Sequence, residues 1–290
     1  MLLETGKSRT RGENNDARLR LVQGRHNPLI KDLRRAFARG EATDDGFCGI
    51  EGLRILEEAI RSGVKFRAVF FSESAQVKAR RLLSQLGART ETLLLPDKLF
   101  SSTVPSDTPQ GVAALARWPQ FSLDDVLGKA SFGPLLVVAG VQDPGNLGTI
   151  MRSAEAFGAI GLILGEGTVS PFNPKVVRAS AGSIFRLPVV RAKLSGTIPR
   201  MRESGLHLMA TSSHKGTPLQ KARFELPLAL FLGAEGAGLM RELLAEMDEI
   251  IAIPHAPKVE SLNAGVAASI VLYEMARQSD RLGGSGNNLP

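Results

Sequence analysis

Cysteine is nearly missing from these 290 residues: Cys48 stands alone, which excludes an intramolecular disulfide and fits a reducing compartment. Histidine is scarce too. The four present have no metal-ligand spacing and there is no second cysteine, so no metal site is expected. No apolar run approaches the ~18–20 residues that a bilayer span needs. The start, MLLETGKSRTRGENND, has no apolar core like that of a secretory signal. A soluble cytoplasmic protein without metal or membrane is therefore expected. The familiar nucleotide and nucleophile signatures are also missing. No strand leads through G-x-G-x-x-G into a helix, and neither G-x-x-x-x-G-K-[ST] nor G-x-S-x-G occurs. The one G-x-G, Gly165-Glu166-Gly167, leads to Thr168-Val169-Ser170-Pro171 and reads as a turn.

What is present is globular. Hydrophobic residues make up 43% and charged residues 22%, which excludes disorder and fibrous repeats for most of the chain. The length suggests two domains or one large one. The net charge of +7 is uneven: residues 1–40 hold ten Lys/Arg against four acids, 175–223 ten against one, and 224–260 two against seven. Either basic block alone reads equally well as a solvated surface or a polyanion site; together they point to a polyanion partner.

Residues 1–24 read as a flexible basic arm and 25–116 as a small α/β domain. Within it, Asn27 and Pro28 start a helix over 28–39 that ends at Gly40. Strands are expected at 46–50, 66–71, 92–95 and 111–116, with helices at 51–61 and 75–86. A linker covers 117–133. From 134 to 280 the chain alternates again, with strands at 135–139, 161–164, 187–190, 207–210, 228–232 and 250–253. Helices lie near 147–157, 174–182, 195–204, 238–246 and 262–278. The strands are short continuous apolar runs, as in parallel sheets covered on both faces. Residues 281–290 read as a disordered tail.

Three segments stand out, each after a buried strand. In Val141-Gln142-Asp143-Pro144-Gly145-Asn146, Asn146 reads as a helix cap, and Arg152 and Glu155 follow as an i, i+3 pair. On its own, that pair reads more simply as a surface ion pair. Leu232-Gly233-Ala234-Glu235-Gly236-Ala237-Gly238-Leu239 carries three glycines in six residues, which lets backbone pass close to a ligand or to another stretch of chain. In Val259-Glu260-Ser261-Leu262-Asn263-Ala264-Gly265, Ser261 reads as the cap of a last helix, one side of which is small.

Together these motifs resemble the SpoU (TrmH-like) RNA ribose 2′-O-methyltransferases of the SPOUT superfamily, over residues 134–278. Residues 25–116 resemble the substrate-binding domain of the longer members, related to ribosomal proteins that bind kinked RNA. The resemblance implies a trefoil-knotted α/β methyltransferase domain with parallel strands, S-adenosyl-L-methionine as methyl donor, and a homodimer. Its substrate would be structured RNA, ribosomal or transfer RNA, and the separate N-terminal domain and basic arm favour the ribosomal target. It places the cofactor against Ala210, Thr211, Gly233, Glu235, Gly236, Ile253, Pro254 and Leu262, held largely by backbone. Catalysis and substrate positioning fall to Asn146, Arg152, Ser261 and Asn263, with Glu155 orienting Arg152. A guanidinium has a pKa above ~12, so Arg152 suits phosphate binding and alkoxide stabilisation better than proton abstraction. The sequence departs from the common pattern at His255, where Met is usual, at Pro257-Lys258, where a Gly is frequent, and at Ala264-Gly265, where Val-Ser is common. The competing expectations are an RNA- or ribosome-binding protein of the same fold without catalysis, and a knotted enzyme that methylates a base nitrogen.

Overall fold

The computed structural model describes residues 18–279 except 214 and 237. The expected arm up to residue 17 and the expected tail at 281–290 lie outside the described residues. The chain divides into two compact units at Trp118.

The first unit is a five-stranded sheet with short helices. β1 (Leu19–Leu21) pairs parallel with β4 (Glu91–Leu95), and β4 with β3 (Phe66–Ser72). β5 (Val112–Arg117) runs antiparallel between β3 and β2 (Phe47–Glu51). α1 (Pro28–Arg39) starts where the Asn27 side chain accepts from the Leu29 N–H and stops at Gly40, whose φ is +56°. Its Ile30, Leu33 and Phe37 are buried, and Phe37 lies against Gly49, where a Cβ would be 2.8 Å from the ring. α2 (Leu53–Arg61) begins two residues later than expected because β2 runs on to Glu51. The helix expected at 75–86 is a 3₁₀ turn, Glu73–Ala75, followed by a shorter α3 (Gln76–Leu83). α4 (Asp97–Ser101) was not expected.

Two boundaries need correction. Residues 18–24 do not belong to an arm: Leu19–Leu21 form the edge strand, and Arg18 donates to the carbonyls of Leu83 and Gly87. Residues 1–17 then hold three basic and three acidic residues, so the basic excess of the N-terminal region lies in folded chain. The stretch expected as linker carries α5 (Leu123–Leu127), started by a capping box between Ser122 and Asp125.

The second unit is an all-parallel seven-stranded sheet in the order β10-β12-β9-β11-β6-β7-β8. The strands are β6 (Leu135–Val138), β7 (Gly161–Leu164), β8 (Val189–Arg191), β9 (His207–Ser212), β10 (Thr217–Pro218), β11 (Leu228–Leu232) and β12 (Glu249–Ala252). The helices are α6 (Pro144–Ala156), α7 (Pro174–Ala179), α8 (Leu194–Glu203), α9 (Arg241–Ala245) and α10 (Ala264–Gln278). α5 and α8 cover one face through Val126, Leu127, Leu194, Ile198 and Met201, packed on Val137, Ile163, Leu208 and Phe231. Each such fully buried side chain contributes roughly 1.5–3 kcal/mol. α6 and α10 pack on each other closely: a Cβ on Gly265 would be 3.0 Å from the Thr149 Cβ, and the Ser153 and Ser269 hydroxyls are 2.7 Å apart. The small side of the last helix thus serves an intramolecular contact.

Candidate active site

A cleft opens beyond the C-terminal ends of β9, β11 and β12, the place where parallel α/β sheets receive ligands. Leu232, Leu239, Leu244, Ile253 and Leu262 make it apolar, while Thr211, Ser212, Ser213, Glu235, His255 and Ser261 bring polar groups. The glycine-rich loop closes on itself: Ala234 and Gly238 exchange backbone hydrogen bonds of 3.1 and 2.9 Å. A Cβ on Gly233 would be 2.2 Å from the Gly238 carbonyl carbon and 2.4 Å from the Leu239 nitrogen. Gly233 is therefore required by the loop's own closure. The loop leans on Gly140 (φ +77°), where a Cβ would be 3.2 Å from that of Ala234. Thr168 fixes Gly140 in turn, accepting from its N–H and donating to the Val138 carbonyl.

Two hydrogen bonds join residues from all three motifs. Asn146 Nδ2 donates to Glu235 Oε1 at 2.7 Å, and Asn263 Nδ2 donates to Asn146 Oδ1 at 2.8 Å. The direction is set from both ends. A carboxylate only accepts, so Asn146 presents its NH₂ to Glu235 and its carbonyl to Asn263. Asn263 Oδ1 then receives the Val266 N–H, which starts α10. Neither expected cap holds. Asp143, not Asn146, caps α6 by accepting the Asn146 N–H at 2.7 Å, with Pro144 in the first turn. Asn263, not Ser261, caps α10, and Ser261 is an exposed residue of the cleft wall.

Arg152 is exposed on α6 and makes no hydrogen bond or ion pair with any described residue. The expected Arg152–Glu155 pair is absent. Glu155 is instead gripped by Arg186, Nε on Oε1 and Nη2 on Oε2, the latter at 3.0 Å. Burial pushes the Glu155 carboxyl up, but hydrogen bonds from Arg186 and Ser183 outweigh it and hold the group below its ordinary pKa. A two-point fork outcompetes a one-turn contact on an exposed helix face. Glu155 therefore does not orient Arg152.

Residues 133–273 match the SpoU rRNA Methylase family, and residues 27–114 match the MRM3-like substrate binding domain. The chain is 32% identical over 257 residues to the 23S rRNA (guanosine(2553)-2′-O)-methyltransferase RlmP of Bacillus subtilis, covering 89% of this chain and 99% of RlmP. The chain belongs to the SpoU rRNA methylase family. The 23S rRNA (uridine(2479)-2′-O)-methyltransferase of Streptomyces viridochromogenes is 31% identical, over 93% of this chain and 96% of its own. Among solved structures, the AdoMet-bound rRNA methyltransferase from Sinorhizobium meliloti superposes with a TM-score of 0.78 at 30% identity, over 90% of this chain and 98% of that one.

In this SpoU family member, Thr211, Gly233, Glu235, Gly236, Ile253 and Leu262 line the cleft, as does Ser261. Ala210 is fully buried in β9, and Pro254 is exposed beside the lining. Ser212 and Ser213 were missed because β9 runs two residues past its expected end. Of the apolar floor, Ile253 and Leu262 were expected, whereas Leu232, Leu239 and Leu244 were missed because they read like core. His255 is held by its Nδ1, 2.7 Å from the Ile253 carbonyl. Among the described residues no group of three His, Cys, Asp or Glu is placed to hold a metal, and no helix is long and apolar enough to cross a membrane.

The amide chain has a direct test. Asn146→Asp keeps the shape but replaces the donor facing Glu235 with a second carboxylate, at a position only 9% exposed. A loss of about 1–3 kcal/mol is expected, seen as a lower melting temperature. Adding Glu235→Gln restores a donor–acceptor pair and should recover most of the loss. An unchanged melt for Asn146→Asp would show that the contact contributes nothing.

Proposed function

We propose that this SpoU family member transfers the methyl group of S-adenosyl-L-methionine to a ribose 2′-hydroxyl in structured RNA, ribosomal rather than transfer RNA. The observation that carries the reading is the Glu235–Asn146–Asn263 chain, which gathers three loops at a glycine-walled cleft. Supporting the ribosomal target, the two named relatives act on 23S rRNA, and the first unit matches a substrate-binding domain.

The cleft suits the cofactor. Its apolar floor can take an adenine, and the tight 233–238 loop brings backbone rather than side chains to the rim. We assign its binding to Thr211, Gly233, Glu235, Gly236, Ile253 and Leu262, with Ala210 and Pro254 acting from the adjoining backbone. When bound, the cofactor supplies an electrophilic methyl group. The chain's own residues do the rest. Arg152 fixes an RNA phosphate and stabilises the negative charge that builds on the 2′-oxygen as the hydroxyl proton leaves to solvent water. Asn146 and Asn263 hold the loops in register, and Ser261 offers its hydroxyl to the bound ribose. The trefoil knot belongs to the same proposal, supported by β11 lying between β9 and β6, both earlier in the chain. So does a cytoplasmic location.

Assembly as a homodimer through α10 is also proposed. Val266, Ile270 and Tyr273, spaced i, i+4, i+7, are 48%, 37% and 50% exposed and form an apolar face that suits a second copy. Sedimentation should give twice 31.0 kDa for the wild type, and Ile270→Glu should give a monomer. A monomeric wild type at micromolar concentration that still methylates RNA would contradict this assembly.

The reading as a whole is tested by calorimetric titration with S-adenosyl-L-methionine and by methyl transfer to unmodified ribosomal RNA and to transfer RNA. Binding in the micromolar range and transfer to ribosomal RNA are expected. No binding, or transfer to transfer RNA alone, would overturn the reading in whole or in its choice of target.

A further inference from the structure

We propose that Arg186 is a positioning residue for methyl transfer: by holding Glu155, it leaves Arg152 uncompensated on the same helix. This rests on the role of Arg152 proposed above. Glu155 is the only acid in α6, and at i+3 it is the natural partner of Arg152. An Arg152 paired to it would meet RNA with its charge already neutralised.

The fold prevents that pairing by an unusual piece of backbone. α7 ends against α6 at Gly148, where a Cβ would be 2.3 Å from that of Ala179. The chain then reverses through Ala181 and Gly182, with φ of +50° and +95°. Ala181 is the one non-glycine residue with positive φ among those described, a conformation that costs energy for any residue with a Cβ. The turn leads into the 3₁₀ segment Ser183–Phe185, which delivers both the Ser183 hydroxyl and the Arg186 guanidinium to Glu155. The Arg186 fork takes both carboxylate oxygens. Strain in the connection is thus spent on neutralising one carboxylate, 31 residues away in sequence and one helical turn from Arg152.

Removing the Arg186 charge frees Glu155 to pair with Arg152 and neutralise it before RNA arrives. Single-turnover methylation of unmodified ribosomal RNA by Arg186→Gln should be slower by roughly three- to fivefold in kcat/KM, the scale of one exposed ion pair that must be broken. S-adenosyl-L-methionine affinity, read by calorimetry, should be unchanged, because no cleft residue is altered. The decisive variant is Arg186→Gln/Glu155→Gln. With no carboxylate left to capture Arg152, it should return to within about twofold of the wild type. A role for Arg186 in packing alone predicts no such rescue. Wild-type rates for Arg186→Gln, or a double variant as slow as the single one, would overturn the proposal. Arg152→Ala measured in parallel separates this failure from that of the proposed function: if it too is fully active, the role of Arg152 is wrong; if it is inactive, only the Arg186 inference falls.

Discussion

Arg152→Ala is expected to slow methyl transfer by about a hundredfold or more, on the order of 3 kcal/mol, the scale of losing one donor to a developing oxyanion. The cofactor should bind as before, since Arg152 is outside the cleft lining. Arg152→Lys keeps the charge but loses the planar fork, and should lose most of the activity too. The structure sharpens this expectation. With Glu155 committed to Arg186, no carboxylate on α6 competes for Arg152, so in its proposed role the side chain would meet RNA at full charge. If Arg152 only decorated the surface, both variants would methylate at wild-type rates.

Gly233→Val is the second change with a large expected effect. A Cβ there would sit 2.2 Å from backbone carbon, a distance that no rotamer change relieves. The Ala234–Gly238 closure has to open, carrying Glu235 away from Asn146. Loss of S-adenosyl-L-methionine binding and a lower melting temperature are both expected, with the cleft damaged through its own wall. Gly236→Ala is the contrast. It has nothing within 4 Å of an added Cβ, so only its φ of +74° is penalised, by about 1–2 kcal/mol. Cofactor binding should survive that change in a cooled sample. Equal damage from both would mean that backbone freedom, rather than space, governs the loop.

Much of this architecture is legible in the sequence because its signals are local. Asn27, Pro28 and Gly40 bound α1 as their chemistry dictates, and the continuous apolar runs mark the parallel strands. What escaped is decided elsewhere. Asp143 and Asn146 are both able to cap, and Pro144 in the first turn settles the choice for Asp143. Leu19–Leu21 reads as arm because arginines flank and interrupt it, yet an open edge on β4 recruits it. The Ser122–Asp125 capping box was in plain view, but prolines on either side suggested a linker. At the site, motif order picked out candidate residues while long-range partners set their contacts. Nothing near Glu155 in sequence announces Arg186, and Gly233 answers to Gly238 and Leu239 rather than to a ligand alone.

A 2′-hydroxyl of ribosomal RNA is expected to receive the methyl group. Unmodified ribosomal RNA incubated with the protein and isotope-labelled S-adenosyl-L-methionine, then digested to nucleosides and resolved by mass spectrometry, tests it most directly. Label is expected in a single ribose-methylated nucleoside, whose phosphodiester also resists alkaline cleavage. Label on a base, or no label above the Arg152→Ala background, would contradict it.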